Sequence, residues 1–115
     1  MRIVRSEGGL PLAEHGVLAR TARERRRGLL GTQNLPEGEA LVLDPCNNVH
    51  MLGMRYSLYI VYLDQANRVL WQGVLLPWRL GPFMRKARRV IELPAARAGA
   101  VAVGDVVRFV KEAGT

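Results

Sequence analysis

Residues 55 to 63, RYSLYIVYL, constrain the fold more than any other stretch of the chain. The even positions Tyr56, Leu58, Ile60 and Tyr62 are apolar or aromatic, and so are the odd positions Tyr59, Val61 and Leu63. Successive side chains of a strand point to opposite faces of its sheet. A strand that is apolar at both sets of positions must be covered on both sides. It therefore belongs in the middle of a sheet, not at an edge. Asp64-Gln-Ala-Asn-Arg68 then reads as a polar hairpin loop, with Val69 to Leu76 as the returning strand.

Around this centre the chain reads as short pieces. Arg2 to Arg5 is a first strand, followed by a Gly-Gly and Pro loop. Gly16 to Arg20 is a short strand leading into a helix. Thr21-Ala-Arg-Glu24 is a capping box, in which the Thr21 hydroxyl accepts from the Glu24 N–H and the Glu24 carboxylate accepts from the Thr21 N–H. The helix is expected to run to about Leu30, with Gly31 as a left-handed cap. Ala22, Arg26, Leu29 and Leu30 would share its inner face, and Arg23, Arg25 and Arg27 would point to solvent. Leu35 to Glu39 is a turn, and Ala40 to Leu43 a strand stopped by Asp44-Pro45. Arg89 to Leu93 is another strand, Pro94 suits the first turn of a short helix ending near Gly99, and Val106 to Val110 is the last strand. The expected architecture is an α+β class, β-rich, compact barrel-like domain. It would have about six or seven short strands, with one clear and one short helix packed outside. At 115 residues the chain is expected to form a single domain, residues 1–115.

The net charge is +7, and fifteen of the seventeen basic residues are arginine. A positive field favours anionic partners: nucleic acid, phosphorylated metabolites, acidic proteins or anionic lipid. GC-rich coding produces the same arginine bias. A single cysteine excludes an intramolecular disulfide and fits a reducing compartment. The opening MRIVRSEGGLPLAEHG has no apolar secretory core, and no apolar run reaches the ~18 residues of a membrane span. The expectation from these features is a cytoplasmic protein without a membrane partner or cofactor.

Three blocks resemble one known family. ARTARERRRGLLGTQNLPEGEALVL is similar to its opening block, HMLGMRYSLYIVYLDQANRVL to its central block, and ARRVIELPAARAGAVAVGDVVRF to its closing block. The family is the bacterial and archaeal domain of unknown function 192, and the resemblance spans residues 17 to 110. It implies a compact β-barrel-like fold with small external helices and a prokaryotic source, and it implies no established activity. The central block departs from the family pattern at one place. Tyr59 stands where relatives carry an aspartate. A phenol with an ordinary pKa near 10 cannot take an aspartate's role at neutral pH without a large shift, which puts in doubt any role of that aspartate as a catalytic base or metal ligand here.

Three groups of residues carry candidate chemistry. Cys46 and His50, four residues apart, are one. An imidazole that takes the thiol proton makes a thiolate nucleophile, but no third orienting group is evident. A structural zinc site needs four ligands, and the chain offers one cysteine and two histidines, so no metal site is expected. The plainer role for Cys46 is to pack as a small apolar residue while His50 meets the backbone. Gly53-Met54-Arg55 is the second group. Gly53 allows positive φ, and the Arg55 fork can hold a carboxylate or phosphate, or pair with Asp44, Asp64 or a glutamate. The third group is the acid-free loop PWRLGPFMRKARR, residues 77 to 89. There Trp78, Phe83 and Met84 interleave with Arg79, Arg85, Lys86, Arg88 and Arg89. Such interleaving suits single-stranded nucleic acid, whereas a plain surface loop would use Trp78 and Phe83 to cap the end of the barrel.

The reading that follows is a non-catalytic binding module. Its cleft near residues 46–56 would use Cys46, His50, Met54, Arg55 and Tyr59 to hold a small anionic ligand or a protein segment. The competing readings are a thiol-dependent enzyme built on Cys46 and His50, and nucleic-acid binding through the basic loop and the helix face at residues 20–27.

Overall fold

A computed structural model of the chain describes residues 1–111, apart from the side chains of Ala22 and Arg26. Among the described residues, eight strands form two open sheets. The smaller runs β2-β1-β8, with β1 at Arg2–Arg5, β2 at Pro11–Ala13 and β8 at Val107–Val110. The larger runs β3-β4-β7-β5-β6, with β3 at His15–Ala19, β4 at Glu39–Leu43, β5 at Leu58–Leu63, β6 at Val69–Leu75 and β7 at Arg89–Pro94. Pairing is antiparallel throughout except for β3 and β4, which run parallel.

The central position of β5 follows from its side chains. All six of its residues are buried, and it pairs with β7 on one side and β6 on the other. Tyr59, Val61 and Leu63 face the smaller sheet, where they pack with Ile3, Leu12, Ile91, Leu93 and Val107. Leu58, Ile60 and Tyr62 face the opposite way, into a second core with Val49, Met51, Met54 and Val90. The larger sheet is thus the middle of three layers. The smaller sheet covers one face, and helix and loops cover the other.

Several expectations are corrected by this arrangement. Neither sheet closes, so the barrel-like description gives way to two open sheets. They are joined at their corners by backbone bonds, from Gly16 N–H to Met1 O at 2.7 Å and from Val69 N–H to Asp105 O at 2.8 Å. Helix is scarcer than an α+β description suggests. The one α-helix, α1, spans Ala22–Arg27 and ends at Gly28, three residues short of the expected Gly31. Gly28 takes φ 48°, ψ −125°, which turns the chain out of the helix. The expected sharing of a face by Ala22 and Arg26 lies outside the described side chains. The second helix is a 3-10 turn at Ala95–Arg97, with Pro94 as its N-cap and last strand residue. β5 starts at Leu58, three residues after Arg55, and β2 went unforeseen.

Local chemistry matches the sequence at three turns. The capping box is complete, with both Thr21–Glu24 bonds at 3.0 Å. The Asp64 carboxylate accepts from the N–H groups of Ala66 and Arg68 and closes the β5–β6 loop. The Asp105 carboxylate accepts from the Ala102 N–H before β8.

Candidate functional site

Glu92 lies in the middle of β7, opposite Leu41 on β4 and Ile60 on β5. Alternation puts Ile91 and Leu93 into the core beneath the smaller sheet. Glu92 therefore points to the other face, toward α1 and the loop of residues 44–57. It is 6% exposed, the only charged side chain buried to this degree among the described residues. Its Oε1 has no hydrogen-bond partner among the described residues. Burial pushes its carboxyl up to about 7, because the charged form has lost its water.

Above Glu92 is a cavity of about 90 Å³. Arg25, Arg27 and Gly28 line it from the helix end, and Cys46, His50 and Met54 from the loop. Leu29, Leu30, Leu43 and Val49 complete an apolar wall. A Cβ at Gly28 would stand 3.8 Å from Glu92 Oε1, which places the helix end directly over the carboxyl that lines the cavity. The Arg25 guanidinium donates to Arg20 O, and also to Asp44 O at 3.5 Å, which ties it to the backbone on both sides of the opening.

The loop itself is shaped by Gly53. The Met54 N–H donates to Met51 O at 3.1 Å, and Gly53 takes φ 82° inside that turn. This is the third-position geometry of a type II turn, which suits glycine. The turn sends Met51 and Met54 inward, where both are buried, and leaves Leu52 exposed.

The expected site residues separate into two sets. Cys46, His50 and Met54 meet at the cavity. Arg55 does not line it. It is exposed and has no ion pair among the described residues, whether with Asp44, Asp64 or a glutamate, and Asp44 is taken by Arg88 and Arg89. Tyr59 is on the far side of the sheet. Its hydroxyl donates to Gln72 Oε1 at 2.8 Å and meets Val101 of the other core. Its phenol is raised above its ordinary value, first by burial. Tyr59 is therefore a core hydrogen-bonding group, remote from the cavity.

Cys46 and His50 share the cavity wall but make no hydrogen bond with each other among the described residues. The Cys46 thiol donates to Asn48 O at 2.9 Å, and His50 Nδ1 accepts from the Leu52 N–H at 3.3 Å. Burial raises the Cys46 thiol above its ordinary value, and the nearby Glu92 carboxylate adds to the rise. Both effects favour the protonated thiol over the thiolate. Glu92 and Gly28 line the cavity without having been expected there, and Arg25 and Arg27 were expected only on the helix face at residues 20–27 offered to nucleic acid.

Tyr62 fastens the cavity loop to the basic loop. Its hydroxyl accepts from the Val49 N–H at 3.1 Å and donates to Pro82 O at 2.8 Å. Burial pushes this phenol up to about 12, so it remains a donor at all ordinary pH. Its ring meets Trp71 at 5.3 Å between centroids. In the basic loop, Trp78 and Phe83 do not cap a core: they are 66% and 68% exposed.

A family model for DUF192, described as an uncharacterized ACR, matches residues 5–109. The chain belongs to the DUF192 family. No curated protein matches it. Two crystal structures share the DUF192 chain's fold. A protein of unknown function from Novosphingobium aromaticivorans superposes with a TM-score of 0.80 at 20% identity, over 95% of this chain and 84% of the other. A candidate transcription regulator from Sinorhizobium meliloti superposes with a TM-score of 0.72 at 16% identity, over 93% of this chain and 89% of the other. At these identities the likeness of both to this DUF192 chain is one of fold. Among its described residues, no helix is long and apolar enough to cross a membrane.

Proposed function

We propose that this chain is a non-catalytic binding domain whose cavity above Glu92 takes a small oxyanion. The oxyanion would be a free small-molecule ligand or the carboxylate of a protein segment. The observation that carries the reading is the buried Glu92 carboxyl, unpartnered at Oε1 among the described residues and lining a cavity walled by Arg25, Arg27 and His50. A buried polar group without a partner costs stability. Rules of polar satisfaction are broken most often where function requires it. Protonated Glu92 donates one short hydrogen bond to the anion, and the two guanidinium groups balance its charge. Cavity size limits the bound group to a few heavy atoms, which a carboxylate or sulfate matches. Thiol-dependent catalysis draws less support from the same geometry, because Cys46 is held as a thiol.

The test is an amide NMR titration with sodium acetate and with sodium sulfate in slightly acidic buffer. Saturating shifts are expected at Gly28, Cys46, His50 and Met54, with weaker binding in Arg25→Ala and Arg27→Ala. Shifts that never saturate, or that fall elsewhere on the protein, would overturn the reading.

A further inference from the structure

The cavity leaves one surface feature unexplained. Between β6 and β7, Leu76, Trp78, Leu80 and Phe83 are 55%, 66%, 69% and 68% exposed. Their exposure is built in by firm backbone pairing. Met51 N–H donates to Arg79 O, Trp78 N–H to Met51 O, Gly81 N–H to Val49 O and Met84 N–H to Asn47 O, all within 3.0 Å. Gly81 makes the close seat possible, since a Cβ there would stand 2.5 Å from the Tyr62 hydroxyl. Trp78 holds φ 68°, an uncommon conformation for a bulky residue. Exposed Leu52 lies on the segment paired beside it.

The charge along the loop itself has one sign, although Asp64 of the neighbouring hairpin shares a groove with Arg85, Lys86 and Arg88. No acidic residue occurs between Asp64 and Glu92. Arg88 and Arg89 pair with Asp44, whereas Arg79, Arg85 and Lys86 are exposed and without ion pairs among the described residues. An exposed apolar cluster of this kind marks a contact surface.

We propose that this loop docks the protein on an anionic lipid surface. Leucine, tryptophan and phenylalanine side chains enter the boundary between headgroups and acyl chains, and the cations beside them meet anionic headgroups. A second copy of the chain fits poorly, because pairing loop to loop would bring the exposed Arg79, Arg85 and Lys86 of one against those of the other. Nucleic acid uses aromatic rings for stacking, and Leu52, Leu76 and Leu80 offer none. The expectation of no membrane partner came from the lack of a spanning segment, which does not bear on a loop lying at the surface.

Co-sedimentation with vesicles of phosphatidylcholine, alone or mixed with phosphatidylserine, tests the proposal. The protein is expected to sediment only with the phosphatidylserine mixture, and Trp78 emission to shift to the blue in a manner absent from Trp78→Phe. Arg85→Ala and Lys86→Ala should each weaken binding about fivefold. Leu80→Ser with Phe83→Ser should abolish binding while the thermal midpoint holds. Failure to sediment with the anionic vesicles overturns the proposal, as does sedimentation that these substitutions leave unchanged. Retention on a single-stranded oligonucleotide through the same residues, without vesicle binding, would assign the loop to nucleic acid instead.

Discussion

At the scale of single residues, Glu92 sets the chemistry. Its carboxyl titrates near 7 in the folded protein, against about 4.3 in an unfolded chain. The folded state therefore keeps a proton that the unfolded state releases. Stability is greatest below the unfolded pKa and falls as pH rises toward about 7, where the folded group also ionises. The loss across that window is on the order of 3 kcal/mol. Glu92→Gln removes the titrating group and keeps the shape. It should raise the denaturation midpoint at about pH 8 and change it little at about pH 4, as read by urea unfolding at both values. An equal change at both would show that Glu92 does not titrate in this window. Tyr62 makes a second residue-scale prediction. Tyr62→Phe leaves the buried Val49 N–H without its acceptor and frees Pro82, at a cost of about 1–3 kcal/mol. The measurement is again the urea midpoint, with amide exchange at Val49 expected to quicken.

At the scale of elements, the sequence was most legible where one residue type has one local meaning. Apolar residues on both faces of β5 placed it centrally, and Thr21 with Glu24 placed the helix start. The helix end was misread because Leu29 and Leu30 continue the apolar pattern, while Gly28 can leave the helix and does so first. β2 was missed because Pro11–Ala13 is three residues long, too short to show alternation. The candidate site was half legible. Cys46, His50 and Met54 were placed correctly on one loop, but Arg55 and Tyr59 were grouped with them by nearness in sequence. A strand separates neighbours onto opposite faces, and Tyr59 went to the other core. Glu92 did leave a signal: it is an acid between Ile91 and Leu93 in an apolar strand, a position where carboxylates are rarely buried without purpose. The two loops over the site meet at a tight seat, and this gives an element-scale prediction. Gly81→Ala sets a methyl against the Tyr62 hydroxyl and against Val49. It should destabilise the fold by about 1–3 kcal/mol and perturb NMR signals in both the cavity loop and the basic loop. Perturbation confined to residues next to 81 would contradict the shared seat.

At the scale of the whole molecule, the larger sheet divides the protein into two sides. The smaller sheet seals one face with an apolar core. The helix end and two loops cover the other, and they enclose Glu92, the one buried acid among the described residues. Both proposed surfaces, the cavity and the basic loop, lie on that second side and are tied together through Tyr62. The central claim is that Glu92 is the proton-carrying floor of an oxyanion site. Its carboxyl ¹³C shift, followed with pH in the presence and absence of acetate, tests this most directly. His50, Cys46, Arg25 and Arg27 face the same cavity, so His50→Gln serves as the control for imidazole titration. The account predicts a midpoint near 7 without acetate, and a higher one with it, because the bound anion favours the protonated carboxyl in the wild type and in His50→Gln alike. A midpoint near the ordinary value of about 4.3, unmoved by acetate, would contradict it.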